Sequence, residues 1–224
     1  MYNDIYKQTE MKVNLALSFR KGELFMNLKK EKFINLEREK FVKSFRKSKI
    51  QRLSDIVRYT TRAKITNENV AEHSFYVSIE AMRICNMLKL DSDTKLKVIE
   101  AALVHDVPES LSVDVPYNIK KDYPNITEVL QDIEIKELSR HIPELEEDYK
   151  KYVEHEESKD LVYYIVKLAD TISVVQYSYK EIQLGNKTEE MYEIYIDSLA
   201  RVDNYIGIIE NLTDRKFEEG ESIG

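Results

Sequence analysis

The stretch that most constrains this chain is AALVHDVPESLSVDVPY, residues 101–117. An apolar run, Ala101, Ala102, Leu103 and Val104, delivers an adjacent His105 and Asp106. Glu109 and Asp114 follow on a segment punctuated by Pro108 and Pro116. A helix that buries its body and ends in two ligand-type side chains builds a poor core. It is well suited to hold a metal ion at the mouth of a pocket.

A His-Asp pair is common by itself, and its company gives it meaning. His73 lies in NVAEHSFYVSIEAMRI and Asp170 in DLVYYIVKLADTISVVQY, both strongly apolar helical patterns. A carboxylate inside such a stripe is costly to bury without a positive partner. His73, His105, Asp106 and Asp170 together make two imidazoles and two carboxylates, a donor set suited to one divalent ion such as Mn, Co, Zn or Fe. Glu109 stands one helical turn or tight bend beyond the pair, in reach of the metal. Asp114 reads equally well as a turn residue, and Glu72 as a helix cap. His141 and His155 fall between the second and third parts of the set, where a two-metal variant would need ligands. Both read first as surface residues, so one metal is expected.

The rest of the pattern is helical. Only 5 Gly and 4 Pro interrupt 224 residues, while 42% are hydrophobic and 33% charged, which favours an all-α protein. Ile50, Leu53, Ile56 and Val57 predict a helix ending near Arg58 and Tyr59. Asn69 with Glu72 resembles a capping box, so the helix carrying His73 should start there and run to about Leu88. Thr94 to about His105 forms the next helix, and Val107 to Tyr123 reads as loop. Residues 126–140 read as an amphipathic helix, and Pro143 opens a short one. Glu156 to Leu184 reads as one long helix bearing Asp170 and ending at Gly185-Asn186. A last helix spans about Thr188 to Leu212. The expected organisation is a basic arm over 1–44, one helical domain over 45–212 and a disordered tail over 213–224.

Charge narrows the functional classes. Residues 1–52 carry 14 Lys and Arg against 6 Asp and Glu, whereas the remainder carries 20 against 35. An acidic body argues against specific nucleic-acid binding, since phosphate backbones require a basic surface. The single Cys85 excludes an internal disulfide and fits the cytoplasm. No apolar run is long enough for a membrane span, so no membrane partner is expected.

TNENVAEHS around His73, VHDVPESLSVDVP around His105 and Asp106, and KLADTISVVQY around Asp170 resemble the HD-domain phosphohydrolases over about residues 45–212. More narrowly they resemble the YfbR-like 5′-deoxynucleotidases. H…HD…D specifies only the superfamily, and the ENV-x-EHS phrase and HD-x-x-E-x-x-x-x-D-x-P spacing are more specific. The resemblance implies a helical bundle with His73, His105, Asp106 and Asp170 as metal ligands and Glu109 as the catalytic glutamate. It implies Arg58 orienting the substrate phosphate, and Asp114, Val115, Pro116 and Tyr117 contacting substrate. Beside the arginine a member of the family carries a tryptophan that contacts the sugar. Here that residue is Tyr59, and the chain has no Trp. The resemblance further implies a homodimer whose small-molecule partner is a deoxynucleoside 5′-monophosphate. An HD-type triphosphohydrolase would need more cations by the metal, with Lys64, Lys120 and Lys121 as candidates. A nucleotide-sensing module would have no use for Glu109.

Overall fold

The computed structural model describes residues 36–111 and 123–217. It divides into two compact units, Met1–Lys47 and Ser48–Gly224. In the first, helix α1 spans Leu36–Lys47, with Phe41 and Phe45 meeting edge to face at 4.8 Å.

The second unit is helical, and among its described residues no strand forms. Its helices are α2 (Val70–Met87), α3 (Ser92–Val104), α4 (Pro124–His141), α5 (Glu146–Ser158), α6 (Leu161–Gln183) and α7 (Glu189–Thr213). Single 3-10 turns occupy Ile50–Ser54, Val107–Ser110 and Pro143–Leu145. Helix α6 is the central column and packs against α7, α2, α3 and α5. Its Val162, Ile165, Val166, Leu168 and Ala169 meet Val77, Ala81, Ile84 and Cys85 of α2 and Val98, Ala101 and Ala102 of α3, all buried. Spacings of three, four and seven put these residues on one stripe per helix. Full burial of each Val, Leu or Ile contributes roughly 1.5–3 kcal/mol.

The caps explain where the key helices begin. Asn69 accepts from the Glu72 amide at 2.9 Å while Glu72 accepts back from the Asn69 amide at 3.3 Å, the expected capping box. Asp91 caps α3 through the amides of Asp93 and Thr94. Gly185, at φ 103°, closes α6 in the left-handed region that glycine tolerates.

Two expected helices differ. The segment before Tyr59 is not a continuous helix: after the turn at Ile50–Ser54 the chain leaves helical geometry. Val57 bridges Asn69, and the Arg58 amide donates to Glu68 O at 2.9 Å, so the backbone donors here serve a closed loop. The long helix expected from Glu156 is broken. Lys159 adopts φ 52°, and Asp160 then accepts from the Tyr163 amide at 3.0 Å to start α6 afresh. At the C-terminal end, Arg215 donates to Leu88 O and Lys89 O, and Phe217 packs on the core.

Candidate metal centre and active site

Three helices converge on one point. His73 stands in the first turn of α2, His105 caps the end of α3 with Asp106 next in chain, and Asp170 sits mid-way along α6. His73 Nε2 lies 3.1 Å from Asp170 Oδ1 and 3.5 Å from Asp106 Oδ2. His105 Nε2 lies 3.2 Å from Asp106 Oδ2. Ligand-type atoms of His73, His105 and Asp106 all fall within 4.8 Å of one another.

The tautomer of His105 is fixed by its surroundings. Nδ1 is 2.7 Å from Ala102 O, a carbonyl that can only accept, so Nδ1 carries the proton. Nε2 then turns a lone pair toward Asp106 Oδ2, 3.2 Å away, itself an acceptor, so that this buried nitrogen has no donor to meet it. A buried acceptor left this way costs about 1–3 kcal/mol. A cation would remove that cost, and the two-imidazole, two-carboxylate set fits a borderline divalent ion. Asp106 and Asp170 keep 21% and 27% of their side-chain surface exposed, so the centre opens to solvent on the carboxylate side.

Charges at the centre are strongly linked. Burial pushes the Asp106 carboxyl up, but His105 and His73 outweigh it and hold it far below the ordinary range. Asp170 behaves alike, with His73 and Lys167 overcoming burial. Burial lowers His105, yet Asp106 and Asp170 leave it raised overall.

Arg58 and Tyr59 ride on the loop leading into α2. Arg58 Nη1 donates to Glu68 Oε2 at 2.7 Å and also reaches His73 Nδ1, which has Ser173 Oγ at 3.1 Å. Burial would lower the guanidinium's value, but Tyr59, Glu68, Asp170 and Asp106 keep it above the ordinary one. Tyr59 holds φ 55°, a left-handed conformation costing about 1–3 kcal/mol in a non-glycine residue. Its ring stacks flat on Tyr177 at 4.4 Å, and the Arg58 guanidinium lies 5.2 Å from its centroid. The Tyr59 hydroxyl is buried without a partner, and burial pushes it up to about 12.

The loop is tied down from α6. The Glu181 carboxylate, fully buried, accepts from Ile65 N (2.6 Å), Thr66 N (2.7 Å), Thr66 Oγ1 (2.6 Å) and Asn186 Nδ2 (3.0 Å). Asn186 also donates to Ala63 O at 2.9 Å, and the Tyr177 hydroxyl to Thr66 O at 2.9 Å. Strain at Tyr59 is thus held by contacts well away from it.

Glu109 lies in the 3-10 turn that starts directly after Asp106, its amide bonded to Asp106 O at 3.1 Å. Asp114, Val115, Pro116 and Tyr117 lie outside the described residues, as do Lys120 and Lys121. His141 Nε2 is 3.3 Å from both Lys49 Nζ and Glu137, and His155 Nδ1 is 2.6 Å from Asp160. Both imidazoles are engaged in surface pairs. Sequence reading did not single out Glu68, Ser173, Tyr177, Glu181 or Lys167. Glu181 had a signal, a charge on the buried stripe of α6. Lys167 had one too, three residues before Asp170.

Comparison with known proteins gives one consistent picture. The sequence profile described as 5′-deoxynucleotidase YfbR-like matches residues 45–208. A 5′-deoxynucleotidase of Photobacterium profundum is 32% identical over 145 residues, covering 61% of this chain and 74% of the relative. A 5′-deoxynucleotidase of Vibrio vulnificus is 28% identical over 148 residues, with the same coverage, 61% and 74%. Among solved structures, an HD-domain phosphohydrolase from Listeria innocua superposes with TM-score 0.63 at 23% identity, covering 78% of this chain and 82% of that one. The cyanophage S-2L HD phosphohydrolase DatZ, solved with dA and one catalytic Zn2+, gives 0.55 at 20% identity, covering 74% and 95%. These superpositions establish a shared helical fold.

Proposed function

The chain belongs to the YfbR-like 5′-deoxynucleotidase family and is a hydrolase, and on that premise we propose that it converts deoxyribonucleoside 5′-monophosphates to deoxyribonucleosides and phosphate at the His73–His105–Asp106–Asp170 centre. The observation that supports the site assignment is the buried Nε2 of His105, with Nδ1 tied to Ala102 O, set 3.2 Å from Asp106 Oδ2 and within one cluster with His73.

His73, His105, Asp106 and Asp170 would hold one divalent ion: Zn, Mn, Co or Fe. When bound, it supplies a Lewis acid for the phosphoryl group and acidifies the attacking water. The protein does the remainder. Arg58 grips the phosphate oxygens, a fork that matches them in bidentate fashion. Glu109 takes the proton as the water oxygen bonds phosphorus and returns it to the departing 5′ oxygen as the P–O bond breaks. The Asp114–Tyr117 segment and Tyr59 bound the sugar.

The triphosphohydrolase reading finds less support. Lys64, one of its candidate cations, points one donor at Arg58 O, 2.7 Å away, and Lys120 and Lys121 lie outside the described residues. No helix among the described residues is long and apolar enough to cross a membrane. The reading takes the protein to be a cytoplasmic homodimer. Tyr192, Ile196 and Leu199, exposed at helical spacing on α7, offer an apolar stripe for a second copy. Light scattering tests the dimer, and a panel of divalent metals against deoxy-, ribo- and triphosphate nucleotides tests the reaction.

A further inference from the structure

Ser173 stands three residues after Asp170 on α6, about one turn further along the helix. It is 2% exposed, and its Oγ lies 3.1 Å from Nδ1 of His73. The other buried hydroxyls of α2 and α6 behave differently. Ser74 donates to Val70 O, Ser78 to Ser74 O, Thr171 to Lys167 O and Ser178 to Val174 O, each at 2.7–2.8 Å and each to the carbonyl four residues back. Such back-bonding inside the helix is what a mid-helix hydroxyl ordinarily does. Among the described residues, Ser173 meets the imidazole instead.

This contact bears on which nitrogen of His73 carries the proton. Nε2 faces Asp170 Oδ1 at 3.1 Å and Asp106 Oδ2 at 3.5 Å, on the side of the proposed metal centre. A neutral imidazole that offers Nε2 as a lone pair holds its proton on Nδ1, and that N–H needs an acceptor. Two groups reach Nδ1, Arg58 Nη1 and Ser173 Oγ. A guanidinium only donates, so Arg58 favours the opposite form, in which Nδ1 accepts and Nε2 is protonated. That form turns an N–H toward the carboxylates and has no lone pair for an ion. A hydroxyl oxygen can accept, so Ser173 is the neighbour that supports the ligating form. Arg58 and Ser173 thus pull one ring toward different tautomers, and His73, 1% exposed, leaves water little access to replace either.

We propose that Ser173 is a positioning residue of the metal centre: its hydroxyl accepts the His73 Nδ1 proton and so leaves Nε2 unprotonated for the ion. This rests on the metal-site reading above, but its test does not need turnover. Full-length wild type, S173A, S173T and S178A would be compared, metal-free for thermal midpoint and with Zn2+ for affinity against a competing chelator. Ser178 is a buried α6 hydroxyl bonded within its own helix, so S178A measures what losing such a hydroxyl does by itself. S173A is expected to fold like S178A and to bind Zn2+ ~10–100-fold more weakly than wild type, the scale for a ligating imidazole that loses its outer partner. S178A should bind as wild type does, and S173T, which restores the hydroxyl, should recover most of the loss. Undiminished Zn2+ affinity in S173A, an equal fall in S178A, a folded S173T as weak as S173A, or an S173A that does not fold without metal would each overturn it. Wild type that takes up no Zn2+ would overturn the metal-site reading as well. Wild type that binds Zn2+ yet hydrolyses no deoxynucleotide refutes the hydrolase reading alone, and the comparison still decides Ser173.

Discussion

Tyr59 lies flat on Tyr177, ring centroids 4.4 Å apart and planes 1° from parallel. One face of the ring is thereby taken, and its hydroxyl is buried without a hydrogen-bond partner. The stack fixes Tyr59 beside Arg58, and in the proposed reading Tyr59 bounds the sugar. Tyr59→Ala should raise the ratio of kcat/KM for AMP over dAMP while leaving metal content unchanged. An apolar wall alone rejects an added hydroxyl by only ~10²-fold, which bounds the change. An unaltered ratio would mean Tyr59 does not read the sugar.

Glu181 should matter at a distance. Glu181→Gln keeps the shape but exchanges one of the two acceptor oxygens for an NH2, set either against the Ile65 N–H and Asn186 Nδ2 or against the Thr66 N–H and hydroxyl. The lost partners should cost about 3 kcal/mol or more of stability, since each buried donor left unmet costs about 1–3 kcal/mol. Misplacing Arg58 should also lower kcat/KM with metal content intact. Denaturation and kinetics on the same variant check both.

The same carboxylate has an acid signature. Burial alone would raise it, but Thr66, Asn186 and Ile65 lower it from an ordinary 4.5 to about 2. Because the folded value is depressed, its stabilisation is complete above the ordinary value and is lost as pH falls through the folded one. The stability gap between wild type and Glu181→Gln should therefore shrink in that acidic window. A gap independent of pH would contradict the assignment.

Much of this was legible in the chain itself. The apolar stripes of α2, α3 and α6 and the Asn69 capping box are local signals, and they place His73, His105 and Asp170 on the right helices. The loop from Val57 to Asn69 was not legible. Its shape comes from tertiary bonds to Glu181 and Asn186, which helical periodicity does not encode, so Ile56 and Val57 mimicked a helix. The break at Lys159 was hidden similarly, by a charged run whose cap, Asp160, looked like more of the same.

Metal retention should depend on pH in a definite direction. His105 is raised by Asp106 and Asp170 over the opposing effect of burial, so a proton competes with the ion at a higher pH than at an ordinary imidazole. Affinity should fall from mildly alkaline to mildly acidic solution, measured against a competing chelator. A flat profile would show that His105 is not a ligand.

Glu109→Ala and His105→Ala should differ in kind. The first should keep its metal and lose ~10²-fold or more in kcat, the scale of lost acid–base help. The second should lose metal and activity together. Metal loss in Glu109→Ala, checked by elemental analysis, would make Glu109 a ligand or support instead.

The most direct test is release of inorganic phosphate from dAMP by wild-type protein loaded with one divalent ion, beside AMP, dATP and the Asp106→Ala variant. The account predicts phosphate from dAMP, markedly less from AMP, no triphosphate from dATP, and neither bound metal nor turnover in Asp106→Ala. Triphosphate released from dATP with dAMP untouched, or full turnover by Asp106→Ala, would contradict it.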